Sequence, residues 1–195
     1  PASGRFGQYQ IATVIRPNRN MNQGLAERIA LPLTGAERNR PEAGQEGIMT
    51  IDGLDDDAIR HILTTTRRIA LVGASARPER PSNGVLKFLI GRGFDVTPVN
   101  PGLAGQALHG RRVAGSLDEA APLEMVDLFR ASDKVMQPVQ DAIRLGAKIV
   151  WMQLGVVNLE AAALARDAGL TVVMDRCPAI EIPRLGIQAR KTEAG

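Results

Sequence analysis

The sequence predicts an α/β fold, built on a doubly wound and mainly parallel sheet with helices on both faces. Five apolar runs rich in β-branched residues are spaced by about one strand plus one helix each, as repeated βα units require. Three helical patterns close on a glycine shortly before the next strand, where a helix C-cap is expected. The runs lie at residues 69–72, 96–99, 125–129, 148–152 and 171–174, and the glycine-closed segments are "LIGRGFDVTPV", "IRLGAKIVWM" and "ARDAGLTVVM".

A short helix is predicted before the first strand. Residues 55–57 are three aspartates, which a helix N-terminus favours, and an apolar stripe follows at Ile59, Ile62 and Leu63. We expect this helix to end near Arg68.

A second helix is predicted between the third and fourth strands, where apolar residues recur at helical spacing. Either Ser132 or Asp133 supplies its N-cap. Its apolar face consists of Val135, Met136, Val139, Ala142 and Ile143.

The composition predicts one domain, residues 49–195, after a mobile or poorly structured N-terminal extension. Residues 1–48 are rich in Pro, Gly, Asn, Gln and Arg and show little apolar periodicity. The formal net charge of +3 is spread along the chain, and aromatic residues make up only 3% of it. Few rings are therefore available for stacking on bases, so we expect no nucleic-acid partner.

The same composition predicts a cytoplasmic protein without a membrane partner. No stretch approaches the roughly 20 apolar residues of a membrane span, and the N-terminus lacks a signal-peptide core. The single cysteine and two histidines allow neither an internal disulfide nor an ordinary zinc cage. We therefore expect a reducing compartment and no metal site.

The loop after the first strand, "GASARPERPSNG", opens like a phosphate-binding turn. It lacks the Gly-x-Gly-x-x-Gly spacing, because the glycine after Gly73 is Gly84. Backbone N–H groups of the turn, and of a helix that begins near Ser82, would face phosphate oxygens, and Arg77 or Arg80 would add charge. In doubly wound sheets ligands bind at the carboxyl ends of the strands. This loop therefore predicts a pyrophosphate site at that edge.

The end of the second strand bears on the choice of nucleotide. A dinucleotide enzyme normally has Asp or Glu there to bind ribose hydroxyls, but this strand ends in Asn100, followed by Pro101. NAD is therefore disfavoured. The following loop, residues 102–110, either lies over an extended ligand or is an ordinary turn.

Five segments carry a resemblance to a known family: "VGAS…PERPSNGV", "VNP", "DLFR", "WMQLG" and "MDRCP", in this order. Over residues 55–184 the chain resembles the small stand-alone CoA-binding proteins of the YccU type. The resemblance implies a Rossmann-like CoA-binding domain, similar to that of the alpha subunit of succinyl-CoA synthetase, with coenzyme A or an acyl-CoA as its partner. It implies that Phe129 and Arg130 contact the pantetheine or adenine side. It also implies phosphate contacts from Gly73, Ala74, Ser75, Arg80, Pro81 and Ser82, and nucleotide contacts from Asn100 and Pro101.

No catalytic residue is predicted. His61 and His109 lack the setting of a phosphorylated histidine, and no nucleophile–base pair is apparent. Cys177 follows the last strand beside Arg176, whose guanidinium would favour a reactive thiolate, although cysteines are more often buried and inert. A binding module is the main prediction. Two alternatives stay open: an enzyme that acts on an acyl-CoA or CoA disulfide through Cys177, and a NAD(P)-binding regulatory protein.

Overall fold

The structure is a computed structural model and describes residues 50–190. The predicted extension, residues 1–48, lies outside the described residues, so the domain boundary at residue 49 stays a prediction.

A five-stranded parallel sheet forms the centre of the domain, with strand order β2-β1-β5-β6-β7. It confirms the predicted fold class, and each predicted strand differs from the observed one by one residue at one end. Two short strands, β3 and β4, pair as a separate antiparallel ribbon and lie between β2 and β5 in the sequence. The strands are β1 (Arg68–Val72), β2 (Asp95–Val99), β3 (Ala107–Leu108), β4 (Arg111–Arg112), β5 (Met125–Leu128), β6 (Ile149–Met152) and β7 (Thr171–Val173).

Helices cover both faces of the sheet. Because successive strand residues point to opposite faces, Leu71 and Trp151 pack with α1, α2 and α5, whereas Ala70 and Val150 pack with α3 and α4. The domain therefore has two apolar layers, one on each side of the sheet. The helices are α1 (Asp56–Thr65), α2 (Pro81–Gly91), α3 (Met136–Arg144), α4 (Leu159–Asp167) and α5 (Pro178–Arg184).

Glycines end the helices as predicted. Gly93, Gly146 and Gly169 follow α2, α3 and α4 with φ angles of 83°, 73° and 85°. Only glycine adopts this left-handed conformation without steric cost, which confirms the predicted C-caps.

Two local predictions were wrong. The first helix ends at Thr65 because Arg68 already belongs to β1. The N-cap of α3 is Val135, because Ser132 has a different role. The Ser132 hydroxyl accepts a hydrogen bond from the Val157 N–H at 3.0 Å, which ties the turn before α3 to the loop before α4.

The loop of residues 102–110 is more than a plain turn. A short 3-10 turn (Pro101–Leu103) opens this segment. β3 follows and pairs with β4 in a small hairpin. His109 lies at the hairpin turn, and its Nε2 is 3.0 Å from Oδ1 of Asn83 on α2.

Asp52 ties the segment before α1 to the carboxyl end of β7. Its carboxylate accepts hydrogen bonds from the Thr50 hydroxyl at 2.7 Å and the Leu54 N–H at 3.1 Å. The Arg176 Nε donates to it at 3.0 Å. Burial alone would raise the pKa of Asp52, but the hydrogen bonds from Thr50, Leu54 and Arg176 outweigh it and hold the pKa below its usual range. The folded domain therefore already includes residues 50–54.

The Asp52→Ala variant should lose about 3 kcal/mol of unfolding free energy, because it removes the acceptor of the hydrogen bonds from Thr50, Leu54 and Arg176 and leaves Glu181 as the only acidic partner of Arg176 among residues 50–190. Urea unfolding at neutral pH measures the loss. Asp56→Ala is the matched control, because the Asp56–Arg184 pair is exposed and should contribute little. Equal losses in the two variants would contradict a special role for Asp52.

Candidate functional site

Two adjoining cavities open at the carboxyl ends of the parallel strands. The first has a volume of about 600 Å³ and is lined by α3. The second, of about 660 Å³, is lined by the first turn of α2 and the residue that precedes α5. Gly73, Asn100 and Arg130 line both cavities, so the two meet where β1, β2 and β5 end. Strand order reverses between β1 and β5, which is where ligands of such sheets bind.

All ten predicted site residues line one or both cavities. Residues 102–110 line neither cavity. Whether the ten residues contact a ligand stays a prediction. The second cavity contains Gly73, Ala74, Ser75, Arg80, Pro81, Ser82, Asn100, Phe129 and Arg130, and the first contains Gly73, Asn100, Pro101 and Arg130.

Gly73 permits a close approach of three strand ends. Its φ is 88°, and a Cβ atom at this position would lie 2.3 Å from the Phe129 carbonyl oxygen. The N–H groups of Gly73 and Ala74 donate to the Val99 carbonyl at 3.0 and 3.3 Å. These two amides therefore serve the fold, and amide donors for a ligand must come from later residues of the loop.

The later part of the loop has free donors. The N–H groups of Ser75, Ala76 and Ser82 have no acceptor among residues 50–190. Asn83 Nδ2 donates to the Ser75 carbonyl at 2.8 Å and so holds the loop against α2. Because the N-terminus of α2 carries partial positive charge and no acidic residue in its first turn, this loop suits an anion.

Positive side chains concentrate in the second cavity. Arg77, Arg80 and Arg130 line it, and none of the three has a salt-bridge partner in the described part of the chain. No acidic residue among those described lines this cavity. Three unpaired guanidinium groups therefore border a space that also has free amide donors.

The first cavity has a different electrostatic character. Its acidic side chains are already paired: Asp118 and Asp141 with Arg144, at 2.8 and 3.1 Å, and Asp133 with Lys134 at 3.5 Å. The remaining lining includes side-chain amides, apolar groups and the Arg130 guanidinium, which lies where this cavity meets the second one. This cavity therefore suits an uncharged polar ring system better than a phosphate.

The Asn100 side chain links two loops at the junction of the cavities. Its Nδ2 donates to the Ala74 carbonyl at 2.7 Å, and its Oδ1 accepts from the Gly102 N–H at 2.9 Å. An aspartate here would lack the donor and would place a carboxylate against the Ala74 carbonyl oxygen. The structure thus explains why this position takes an amide in place of the acid of dinucleotide enzymes.

Asp127, which lies within β5, and its partner Gln153 are not among the residues predicted for the site. Asp127 is fully buried, its Oδ1 accepts from Gln153 Nε2 at 2.7 Å, and its Oδ2 has no partner among residues 50–190. Burial raises the pKa of Asp127 to about 7. The signal in the sequence was an acid inside the otherwise apolar run "MVDLF".

Cys177 lines the second cavity, and its surroundings do not activate its thiol. The Arg176 guanidinium is engaged by Asp52 at 3.0 Å and by Glu181 at 3.5 Å. Burial raises the pKa of the Cys177 thiol, and the negative charges of Asp127 and Glu181 raise it further. The Arg176 guanidinium therefore does not favour the thiolate, and of the two alternatives for Cys177 the structure favours the buried, unactivated thiol.

Two further observations concern the described region as a whole. Residues 50–190 contain no cluster of three or more His, Cys, Asp or Glu side chains suited to a metal ion. None of the helices in that region has the length and apolar character to cross a membrane.

Comparison with known proteins identifies relatives over most of the described region. A family model described as a CoA binding domain matches residues 67–183. The uncharacterized protein YneT of Bacillus subtilis (strain 168) is 35% identical over 119 residues, which cover 61% of this chain and 87% of that protein. These findings confirm the family resemblance drawn from the five sequence segments.

Solved structures share the fold. A hypothetical protein from Pyrococcus horikoshii OT3 is 46% identical, with a TM-score of 0.68, and the match covers 72% of this chain and 99% of that one. The structure of cell-free ID.343 from Thermus thermophilus is 34% identical, with a TM-score of 0.64, and the match covers 68% and 99%.

The Asp127→Asn variant should be more stable than the parent above pH 7, by about 2 to 4 kcal/mol, because it buries no charge and keeps an acceptor for Gln153. The native carboxyl holds its proton up to about pH 7, whereas an unfolded one loses it near 3.8. Stability of the parent therefore falls as pH rises from about 4 to about 7. Urea unfolding at pH 5 and pH 8 tests this, and a difference independent of pH would contradict it.

Proposed function

Because this chain belongs to the CoA binding domain family, we propose that it binds coenzyme A or an acyl-CoA at the carboxyl edge of its sheet. The observation that carries the proposal is the pair of cavities joined at Gly73, Asn100 and Arg130. Each volume falls in the usual range for ligand sites, about 300–1,000 Å³. Together they suit an elongated ligand with chemically different ends.

The phosphates of the ligand belong in the second cavity. Coenzyme A carries a pyrophosphate and a 3′-phosphate, and charge-assisted hydrogen bonds from guanidinium groups are the strong contacts for such anions. Arg77, Arg80 and Arg130 supply these groups, and the free N–H groups of Ser75 and Ser82 add backbone donors. This arrangement supports the phosphate role proposed for the first loop.

The nucleoside end fits the first cavity. Adenine has hydrogen-bonding edges and apolar faces, and this cavity offers both kinds of partner. Gln137 and Gln140 provide amide groups, and Leu117 and Met136 provide apolar surface. The pantetheine arm then lies in the second cavity beside Phe129 and extends toward the ends of β6 and β7.

The alternatives have less support. A NAD(P) site lacks its ribose-binding acid, and Asn100 is engaged with the Ala74 carbonyl and the Gly102 N–H. With aromatic residues at 3% of the chain, the composition also supports a small-molecule ligand over a nucleic acid. Binding, without an assigned reaction, is therefore the function proposed here.

Reduced coenzyme A should raise the melting temperature of the protein, with an increase that grows with the logarithm of its concentration above its Kd. NAD at equal concentration should have little effect, because the acid that binds its ribose is absent. Thermal unfolding with each ligand measures the difference. Stabilisation by NAD and not by coenzyme A would overturn the proposal.

The Arg80→Ala variant should bind coenzyme A more weakly by roughly 1–3 kcal/mol, the value of a hydrogen bond to a charged group. Folding should be almost unaffected, because Arg80 is exposed. Titration calorimetry measures the affinity. Lys87→Ala is the matched control, since Lys87 is an exposed cation on α2 outside both cavities. Equal affinities for the two variants would show that Arg80 does not contact the phosphates.

A further inference from the structure

We propose that the thiol cluster, defined as Asp127, Gln153 and Cys177, receives the thiol end of bound coenzyme A, and that Cys177 exchanges into a mixed disulfide with it. This inference rests on the proposed binding of coenzyme A and extends it to a reaction at the second cavity. Gln153 and Cys177 both line that cavity, and Asp127 lies behind Gln153.

Gln153 gives the cluster a polar atom that the protein leaves unused. The residue is 4% exposed, and its Nε2 donates to Asp127. Its Oε1 has no donor among residues 50–190. Because Gln153 lines the second cavity, a carbonyl oxygen there that has no protein donor can accept a hydrogen bond from a ligand N–H or S–H group. The pantetheine arm carries both groups.

Asp127 acts as a positioning residue for Gln153. Its Oδ1 accepts the hydrogen bond from Nε2, so the Gln153 amide is turned with Nε2 toward Asp127 and Oε1 is its free end. Gln153 is the only hydrogen-bond partner of the Asp127 side chain among the described residues. Burying a charge at this position is unfavourable, which points to a function other than stability.

Cys177 is suited to react with a bound disulfide and not with a free one. It is the only cysteine of the chain and is 7% exposed. Burial raises the pKa of its thiol, as do Asp127 and Glu181, so few thiolates are available to reagents in solution. A disulfide held in the second cavity has a high effective concentration at the thiol, which offsets this low reactivity.

The exchange is balanced with coenzyme A disulfide as the co-reactant. The Cys177 thiolate attacks one sulfur of the disulfide and forms a new S–S bond with it. The original S–S bond breaks, and its electron pair leaves on the second coenzyme A sulfur. That thiolate takes up a proton equivalent to the one released by Cys177. The products are the mixed disulfide and one coenzyme A thiol, without net oxidation.

The experiment compares two disulfides on the full chain at neutral pH. Coenzyme A disulfide and glutathione disulfide are added separately at equal concentration, and intact-protein mass spectrometry follows the adduct. We expect the coenzyme A adduct to form at least roughly tenfold faster than the glutathione adduct, because only coenzyme A disulfide carries the phosphates that the loop after β1 binds. Excess reduced coenzyme A should slow its formation. Cys177→Ser should form no adduct.

Two variants test the roles of the other cluster members. Asp127→Asn offers Gln153 a donor as well as an acceptor, so it no longer fixes the orientation of the Gln153 amide and should weaken binding of reduced coenzyme A by a few-fold. Gln153→Met removes the free acceptor and should weaken binding of reduced coenzyme A by roughly three- to tenfold, the value of one neutral hydrogen bond. Gln106→Met is the matched control, because Gln106 is exposed and outside both cavities.

The outcomes separate this inference from the function on which it rests. Equal adduct rates for the two disulfides, with reduced coenzyme A still raising the melting temperature, would overturn the inference and leave the proposed function intact. Absence of any stabilisation by reduced coenzyme A would overturn the proposed function itself. The comparison of disulfides uses the unmodified chain, so it does not depend on the folding of any variant.

Discussion

The close approach of three strand ends at Gly73 is the constraint on which the site depends. A side chain here would collide with the Phe129 carbonyl, and the φ of 88° disfavours every other residue type. The N–H groups of Gly73 and Ala74 both donate to the Val99 carbonyl at the end of β2. The end of β1 is therefore fixed between its neighbours β2 and β5. The two cavities adjoin at this junction. The geometry of the ligand edge therefore follows from one position where only glycine fits.

The same junction accounts for the missing Gly-x-Gly-x-x-Gly spacing. In a tight dinucleotide turn the glycines let the backbone approach the pyrophosphate closely. Here the first amides of the loop are bonded to Val99, so donors for an anion come from Ser75 and Ser82 and from the side chains of Arg77 and Arg80. The loop is longer and contains two prolines, which restrict its backbone and reduce the entropy lost on ordering. The loop after β1 is long and basic, in place of a short glycine turn, because the amides of its first two residues are already bonded within the fold.

Sequence reasoning succeeded where the structure depends on local pattern. Strand positions followed from apolar periodicity, and glycines such as Gly146 marked helix ends because their conformation is a local requirement. It failed where a contact with a residue distant in sequence determines the local structure. Ser132 is a good N-cap on local grounds, yet its hydroxyl accepts from Val157, so tertiary contact overrides the local preference. The Asp52–Arg176 pair joins residues 124 positions apart, and no periodicity in the sequence indicates it.

The site shows the same division between local and distant effects. Its ten predicted residues follow strand ends, and the topology of a parallel sheet brings such residues to one edge. Asp127 lies before that edge, between Leu71 and Trp151 in register, on a face where those neighbours supply apolar packing. An apolar side chain would pack there at lower energetic cost, because no buried charge would need a partner. The sequence shows the acid within the strand, but only the structure shows that Gln153 meets it. Asp127 therefore orients the Gln153 amide more than it stabilises the fold, since it fixes which end of that amide remains free at the cavity.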